Sequence, residues 1–256
     1  MIKFIDSDKY SLDKICSSDV FGTRIYAYFK TYGMEFDFIR FWVQIDDNDN
    51  YTAAISLIDG SMTLTCNDAA DFEELAIFIR MIGYSSLQCE RKVMAELGFD
   101  ENIWGYVVRY ENTTDREKYK NITLCQNIDY SDVYSLIKSA DLLGVGDYLP
   151  WLSDVTYRVK KGTAKAAVAV EDGNPAACAM ALFITDSAVL LGAVATDKNQ
   201  RGKGLGGGLV TLLGNEMLSE GKRTELLCKN DSIVDFYRSI GFTVAGEWSI
   251  SYQEEV

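Results

Sequence analysis

Two stretches of this sequence run through the same order of elements, and that order restricts the fold more than any other feature. Tyr51 to Ile58 and Ser61 to Cys66 flank Asp59-Gly60, the chemistry of a tight hairpin turn, and Ala177 to Ile184 and Ala188 to Val194 flank Thr185-Asp186-Ser187 in the same way. Each hairpin is followed by apolar residues at helical spacing: Phe72, Leu75, Ile79 and Ile82 in the first case, Leu209, Leu212, Leu213 and Met217 in the second. A short strand comes next (Ser85 to Cys89, Thr224 to Cys228). A short helix then ends in Leu97-Gly98-Phe99 or Ile240-Gly241-Phe242, with glycine as the left-handed cap. A last strand closes each copy, around Trp104 to Tyr110 and Glu247 to Tyr252. This succession predicts a mixed α/β fold whose largely antiparallel sheet is flanked by helices.

The copies are not equal. Asp59 and Asp186 are 127 positions apart but Gly98 and Gly241 are 143 apart, so the second copy carries 16 more residues between hairpin and last helix. Residues 1–115 hold 20 acidic and 10 basic side chains, and 116–256 hold 18 and 15. The polar run Asn112 to Lys118 places a boundary within about 112–121, giving domains 1–115 and 116–256, each near the usual domain size.

A formal charge of −13 sets a broad nucleic-acid-binding surface against the field of the whole molecule. The chain has no histidine, which excludes Ser-His-Asp and Cys-His catalysis and metal sites built on imidazole, and no metal is expected. Its six cysteines are dispersed, with no CxxC pair, and read as reduced core residues of a reducing compartment. Neither a secretion signal nor an apolar run of membrane-spanning length is present, so a soluble cytoplasmic protein is expected. Asp46 to Asn50 lacks the glycine and distal glutamate of a calcium loop and reads as a solvated turn.

The chemistry lies in Gly192 to Gly208, an apolar strand, a turn and then glycines opening a helix. Glycines admit a ligand close to the backbone, and the unpaired N–H groups and dipole of a helix start attract anions. Lys198, Arg201 and Lys203 add positive charge to an otherwise acidic protein. Gly202 to Gly207 formally matches the dinucleotide pattern GxGxxG, with Glu225 near the distance of a ribose-binding acid. Only 49 residues follow Gly207, too few for the further βαβ units such a fold needs.

The better match is RxxGxG, filled by Arg201-Gly202-Lys203-Gly204-Leu205-Gly206, followed by a helix, a strand, Asn230 and Asp235-Phe236-Tyr237-Arg238-Ser239-Ile240-Gly241-Phe242. In this ordered set the sequence resembles the GNAT acyltransferase superfamily, over about 160–256 and more loosely over 121–160, where Ile122 to Ile128 would be a first strand and Tyr130 to Ala140 a first helix. The resemblance implies two GNAT-like acyl-CoA N-acyltransferase folds in tandem, with acetyl-CoA as co-substrate. It implies that Val194, Ala195 and Thr196 pair with the pantetheine arm. Gly202, Lys203, Gly204, Leu205, Gly206 and Gly207, with Arg201, would hold the pyrophosphate. Asn230 would bond the pantetheine and Tyr237 would protonate the departing thiolate. A phenol, with a reference pKa of about 10, carries its proton at neutral pH. Tyr237 also falls on the apolar face Ile233, Phe236, Tyr237, Ile240, which is equally the pattern of a core residue.

The implied reaction is direct transfer to an uncharged amine, with a strand N–H polarising the acetyl carbonyl and either Glu225 or water taking the proton. Net acidity points to a cationic acceptor, a small molecule or peptide amine, taken up by a monomer or homodimer. In the first copy, Asn67 to Asp71 leaves no room for a cradle, and Asp68, Asp71, Glu73 and Glu74 would repel a pyrophosphate. Val93 to Glu96 stands where the tyrosine would be, so this copy is degenerate. Tyr148 to Leu152 would either line an acceptor pocket or anchor a loop. A non-catalytic acyl-CoA sensor is the alternative reading.

Overall fold

A computed structural model describes residues 1–7, 10–111, 119, 121–140, 142 and 145–253. The polar segment 112–118, expected to separate the halves, lies outside the described residues. The chain forms two compact units: one comprises the chain up to Val107 with Leu227–Asn230 and the residues from Val244 onward, the other Val108–Leu226 with Asp231–Thr243.

In the first unit the strands are β1 (Ile2–Phe4), β2 (Ile39–Ile45), β3 (Tyr51–Ile58), β4 (Ser61–Cys66), β5 (Ser86–Glu90), β6 (Ile103–Tyr110) and β11 (Phe242–Tyr252). Their spatial order is β1-β2-β3-β4-β5-β11-β6. β1 to β4 are antiparallel neighbours, β4 and β5 are parallel, and β11 runs antiparallel to β5 from Trp248↔Glu90 to Tyr252↔Ser86. The β3–β4 turn is Asp59-Gly60, with φ of 46° and 79°, the paired left-handed conformation a two-residue hairpin demands. The other helices are α1 (Asp13–Cys16), α2 (Val20–Tyr32), α3 (Phe72–Ile82) and α4 (Arg91–Leu97).

Helices start where acids can cap them. The Asp19 carboxylate accepts from the Gly22 N–H at 2.7 Å, and Asp71 accepts from the Glu74 N–H at 2.9 Å. Leu75, Ala76 and Ile79 of α3 and Val93, Met94 and Leu97 of α4 pack with Ala53, Ile55, Leu64 and Leu87 in one apolar cluster. α2 packs on β3, β4 and β5, and β3 is buried at every position from Thr52 to Leu57 but the last, so both of its faces are covered. The acidic run between β2 and β3 is a turn closed on itself: Asp46 accepts from the Asn48 and Asn50 amides, each at 2.8 Å.

The second unit has β7 (Lys165–Glu171), β8 (Asn174–Ile184), β9 (Ala188–Thr196) and β10 (Arg223–Cys228) in the order β10-β9-β8-β7. β7, β8 and β9 are antiparallel, and β10 is parallel to β9. Asp172-Gly173 turns β7 into β8 with φ of 51° and 80°, repeating the chemistry of Asp59-Gly60. The first strand expected at Ile122 to Ile128 is reduced to one antiparallel bridge, Leu124↔Ala169, because the position beside β8 is taken by β7. The helix expected at Tyr130 forms as α5 (Tyr130–Ser139), followed by α6 (Tyr148–Lys160), α7 (Leu205–Ser219) and α8 (Asp231–Arg238). Pro150 sits in the first turn of α6, where its missing N–H costs no helical bond. Val133, Leu136 and Ile137 of α5 and Val155 of α6 form a core with Val168, Cys178, Met180 and Ala195 of the sheet.

Candidate functional site

β9 outruns its partner. Its parallel register with β10 ends at Leu191↔Leu226, while β9 continues to Thr196, paired with β8 as far as Ala177↔Thr196. Among the described residues, the β9–β10 ladder does not extend along residues 192–196. Within this stretch, β8 advances from Cys178 to Met180 while β9 goes from Ala195 to Gly192, so one residue bulges out of the ladder. Ala193 has φ of 49°, a conformation L residues enter only where surroundings hold them.

The glycines follow at the end of this strand. Asp197 closes a single turn by accepting from the Asn199 N–H at 2.8 Å, and the chain then enters α7 through Gly202 (φ 82°) and Gly204 (φ 76°). Gly204 is the N-cap of α7 and offers no side-chain acceptor to the helix start. The first intrahelical bond runs from the Gly208 N–H to the Gly204 carbonyl at 2.9 Å, so the preceding amides are those a helix leaves open. A Cβ at Gly206 would stand 3.0 Å from Thr196 Oγ1, so the lack of a side chain lets this turn lie against the end of β9. At Gly207 a Cβ would meet Phe236 at 3.2 Å, and at Gly208 the Tyr119 ring at 2.8 Å, so these two glycines also serve packing. Arg201 Nε reaches the Thr196 carbonyl at 3.5 Å, and Lys203 pairs with Glu171 at 3.2 Å. Val194, Ala195 and Thr196, Arg201, and the amides of residues 202 to 207 are thus brought together at one end of β9. An anionic group fits there: backbone donors, a helix start and two cationic side chains converge where side chains are absent.

Tyr237 is 5% exposed, its ring 5.1 Å from that of Phe236 and 5.2 Å from that of Phe242. Asn230 is exposed and groups with the first unit. Glu225 is 2% exposed and fully engaged: Oε1 accepts from Arg109 Nε at 3.1 Å and Nη2 at 2.8 Å, and Oε2 from Arg223 Nε at 3.1 Å. A carboxylate so held stabilises positive charge around it and is poorly suited to take a proton from an incoming amine.

Beside the same core lies an open cleft of about 730 Å³ lined by Gln126, Asn127, Ile128, Asp129, Tyr130, Tyr148 and Leu152. Ile128 and Tyr130 pack on the cluster that contains Ala195 and touches Ala193, and Trp151 turns into that cluster as an anchor. So Tyr148 and Leu152 line the cleft and Trp151 fastens the segment. Hydrogen bonds from the Ser131 amide and hydroxyl hold the Asp129 carboxyl below its usual range, leaving a persistent negative charge at the rim.

The cysteines are free thiols. Burial pushes Cys66, Cys178 and Cys228 up to about 12 and Cys16 and Cys89 well above the ordinary thiol value, so none of these five is a thiolate nucleophile near neutrality. Among the described residues no cluster of three acidic or cysteine side chains could hold a metal ion, and no helix is long and apolar enough to cross a membrane.

The bulge at Ala193, Arg109 and the cleft residues Gln126 to Tyr130 are beyond sequence reasoning. The bulge has no residue signature, since alanine has no preference for a positive φ, and Arg109 lies 116 positions from its partner. The only usable sign of the cleft is the aromatic cluster around Tyr148.

The profile of the acetyltransferase (GNAT) domain family matches residues 162–244. A search of curated proteins returns no match. Among solved structures, the chain is similar to an acetyltransferase of the GNAT family from Colwellia psychrerythraea, at 12% identity and a TM-score of 0.56, over 99% of this chain and 100% of that one. A GCN5-related N-acetyltransferase from Kribbella flavida is similar at 14% identity and a TM-score of 0.56, over 80% and 87%. A tandem GNAT protein from the clavulanic acid biosynthesis pathway is similar at 14% identity and a TM-score of 0.51, over 83% and 81%. At these identities the likeness is one of fold.

Proposed function

We propose that the chain, whose residues 162–244 match the GNAT domain family, belongs to that superfamily and moves an acetyl group from acetyl-CoA to a primary amine by direct transfer. In this reading the protein is a tandem, and the residues before 116 form a degenerate copy that supports the second. The observation that carries it is the end of β9–β10 pairing at Leu191↔Leu226 next to the glycine-opened start of α7. One strand position and one anion site lie side by side there, as a ligand with a peptide-like arm and a diphosphate requires.

Acetyl-CoA, when bound, supplies an activated acyl thioester. The backbone of Val194 to Thr196 pairs with its amide-bearing arm. The open amides at the start of α7, with Arg201 and Lys203, neutralise the pyrophosphate. A β9 N–H beside the bulge polarises the thioester carbonyl. Tyr237 donates its phenolic proton to the departing sulfur. Glu225 serves as the anchor of Arg109 and Arg223, and water takes the proton of the amine. The cleft beside α5 and α6 receives the acceptor, with Asp129 as counter-charge for a second, cationic group and Tyr130 and Tyr148 as its walls.

The test is calorimetric titration with acetyl-CoA of the wild type and of a Gly204→Asp, Gly206→Asp variant, which places two carboxylates in the cradle. Micromolar binding lost in the variant supports the reading, and absence of binding to the wild type overturns it. The engagement of Glu225 by two guanidinium groups favours a second reading, an acyl-CoA sensor without turnover. Acetyl-CoA binding with no acetylation of any amine in a panel of mono- and diamines would select it.

A further inference from the structure

Cys178 and Ala195 face each other across β8 and β9, and the next facing pair is Met180↔Gly192, so the extra residue of β9 is accommodated directly beyond Cys178. Cys178 is fully buried, and its Sγ lies 3.4 Å from the Ala193 carbonyl oxygen. We propose that Cys178 is a positioning residue: by donating its S–H to the Ala193 carbonyl it fixes the plane of the Ala193–Val194 peptide in the bulge, and so the direction of the Val194 N–H.

Four observations support this role. The peptide is trans, so the Val194 N–H points opposite to the Ala193 oxygen and therefore away from Cys178. On the side of β9 away from β8, the ladder with β10 has already ended at Leu191↔Leu226, before the bulge is reached. The thiol is a donor throughout the range in which the protein folds: burial drives it up to about 12, although the Ala195 amide beside it works in the opposite sense. The left-handed φ of Ala193, 49°, would relax toward the ordinary strand region without such a hold, turning the peptide with it.

The consequence of this geometry rests on the acyltransferase reading, in which the Val194 N–H is the donor that meets negative charge developing on the thioester oxygen. Loss of a donor of this kind typically lowers kcat by about 10²–10³, and loosening one without removing it should cost less, about tenfold. Cys178→Ala removes the hold and Cys178→Ser keeps a hydroxyl donor. Cys89→Ala, a fully buried cysteine in the core of the first unit, controls for the loss of a buried sulfur.

Two measurements decide it: the residual dipolar coupling of the Val194 N–H in ligand-free protein, which reports its orientation, and kcat beside acetyl-CoA affinity. In Cys178→Ala, the Val194 coupling should move or average toward zero and kcat fall about tenfold with the acetyl-CoA Kd within about twofold; Cys178→Ser should recover both, and Cys89→Ala should change neither. An unchanged Val194 coupling in Cys178→Ala, or an equal change in Cys89→Ala, overturns the proposal. The expected change in coupling in a protein whose wild type shows no turnover supports the peptide clamp and overturns the acyltransferase reading instead.

Discussion

Arg109 and Glu225 stand 116 positions apart in the sequence and 2.8 Å apart in space, Nη2 to Oε1. The carboxylate is 3% exposed and the guanidinium 39%, so removing the acid leaves a cation that water can reach. Glu225→Gln should therefore lower stability by about 1–3 kcal/mol, below the usual cost of orphaning a fully buried charge. If Glu225 anchors rather than deprotonates, its replacement should leave the ascending, acidic limb of the pH–rate profile, where a general base is seen, in place. Thermal unfolding and a pH series of kcat/KM check both; loss of an ionisation from the profile would restore Glu225 as the base.

Gly204 and Gly208 lie in the same turn but should fail differently. Alanine at Gly204 is forced to a φ of 76°, costing about 1–2 kcal/mol in the left-handed region, and relaxation of that strain moves the cradle amides. Alanine at Gly208 pushes first on Ile122 Cδ1 and then on the Tyr119 ring, 2.8 Å from where its Cβ would stand, and costs about 1–3 kcal/mol as overpacking. Calorimetry should find acetyl-CoA affinity reduced at least tenfold in Gly204→Ala and nearly kept in Gly208→Ala.

Tyr237→Phe keeps the ring between Phe236 and Phe242 and removes the hydroxyl. Turnover should fall about 10²-fold with acetyl-CoA affinity and melting temperature kept, the size expected for loss of a general acid. Stopped-time assays with titration calorimetry on the same preparation make the comparison. An unchanged kcat would assign Tyr237 to the core alone.

Asp129 caps α5 through the Ser131 amide at 2.8 Å, and that bonding lowers its pKa. A lowered folded-state pKa means the stabilisation is complete above the unfolded value of about 3.9 and is lost as pH falls through the folded value. Melting curves of Asp129→Ala should thus lie below wild type at pH 6 and converge with it in stronger acid. Asp129→Asn, which retains capping ability, should raise KM for diamines and leave simple monoamines unaffected.

The thiols offer an independent check on the core. With Cys66, Cys178 and Cys228 pushed up to about 12 and Cys16 and Cys89 raised well above the ordinary thiol value, a disulfide reagent at pH 8 should label these five slowly in native protein and rapidly in denaturant. Mass spectrometry after timed quenching resolves the sites.

Local chemistry is what made much of this fold readable. Asp59-Gly60 announces its hairpin because few residues tolerate two successive positive φ values, and Gly98 ends α4 for the same reason. Asp172-Gly173 carries the same signal, but the alanine-rich β7 before it lacks the bulky residues that mark a strand, so the first strand is expected one segment too early, at Ile122 to Ile128. The glycine cradle is readable because φ and close approach both demand glycine there. What stays hidden is set by distant pairing or by backbone alone: the bulge at an ordinary alanine, the Arg109 partner of Glu225, and the cleft assembled from the segment leading into α5 and the start of α6.

β11 pairs with β5 through Trp248↔Glu90 to Tyr252↔Ser86, so the sheet that holds the first hundred residues takes in a strand made long after its neighbour. Emergence order and completion order are therefore reversed. The early unit must wait through the synthesis of roughly 150 further residues with the flank of β5 uncovered, a span of many seconds at ordinary elongation rates. A nascent chain stalled before Trp248 would expose that flank as a ready template for strand pairing.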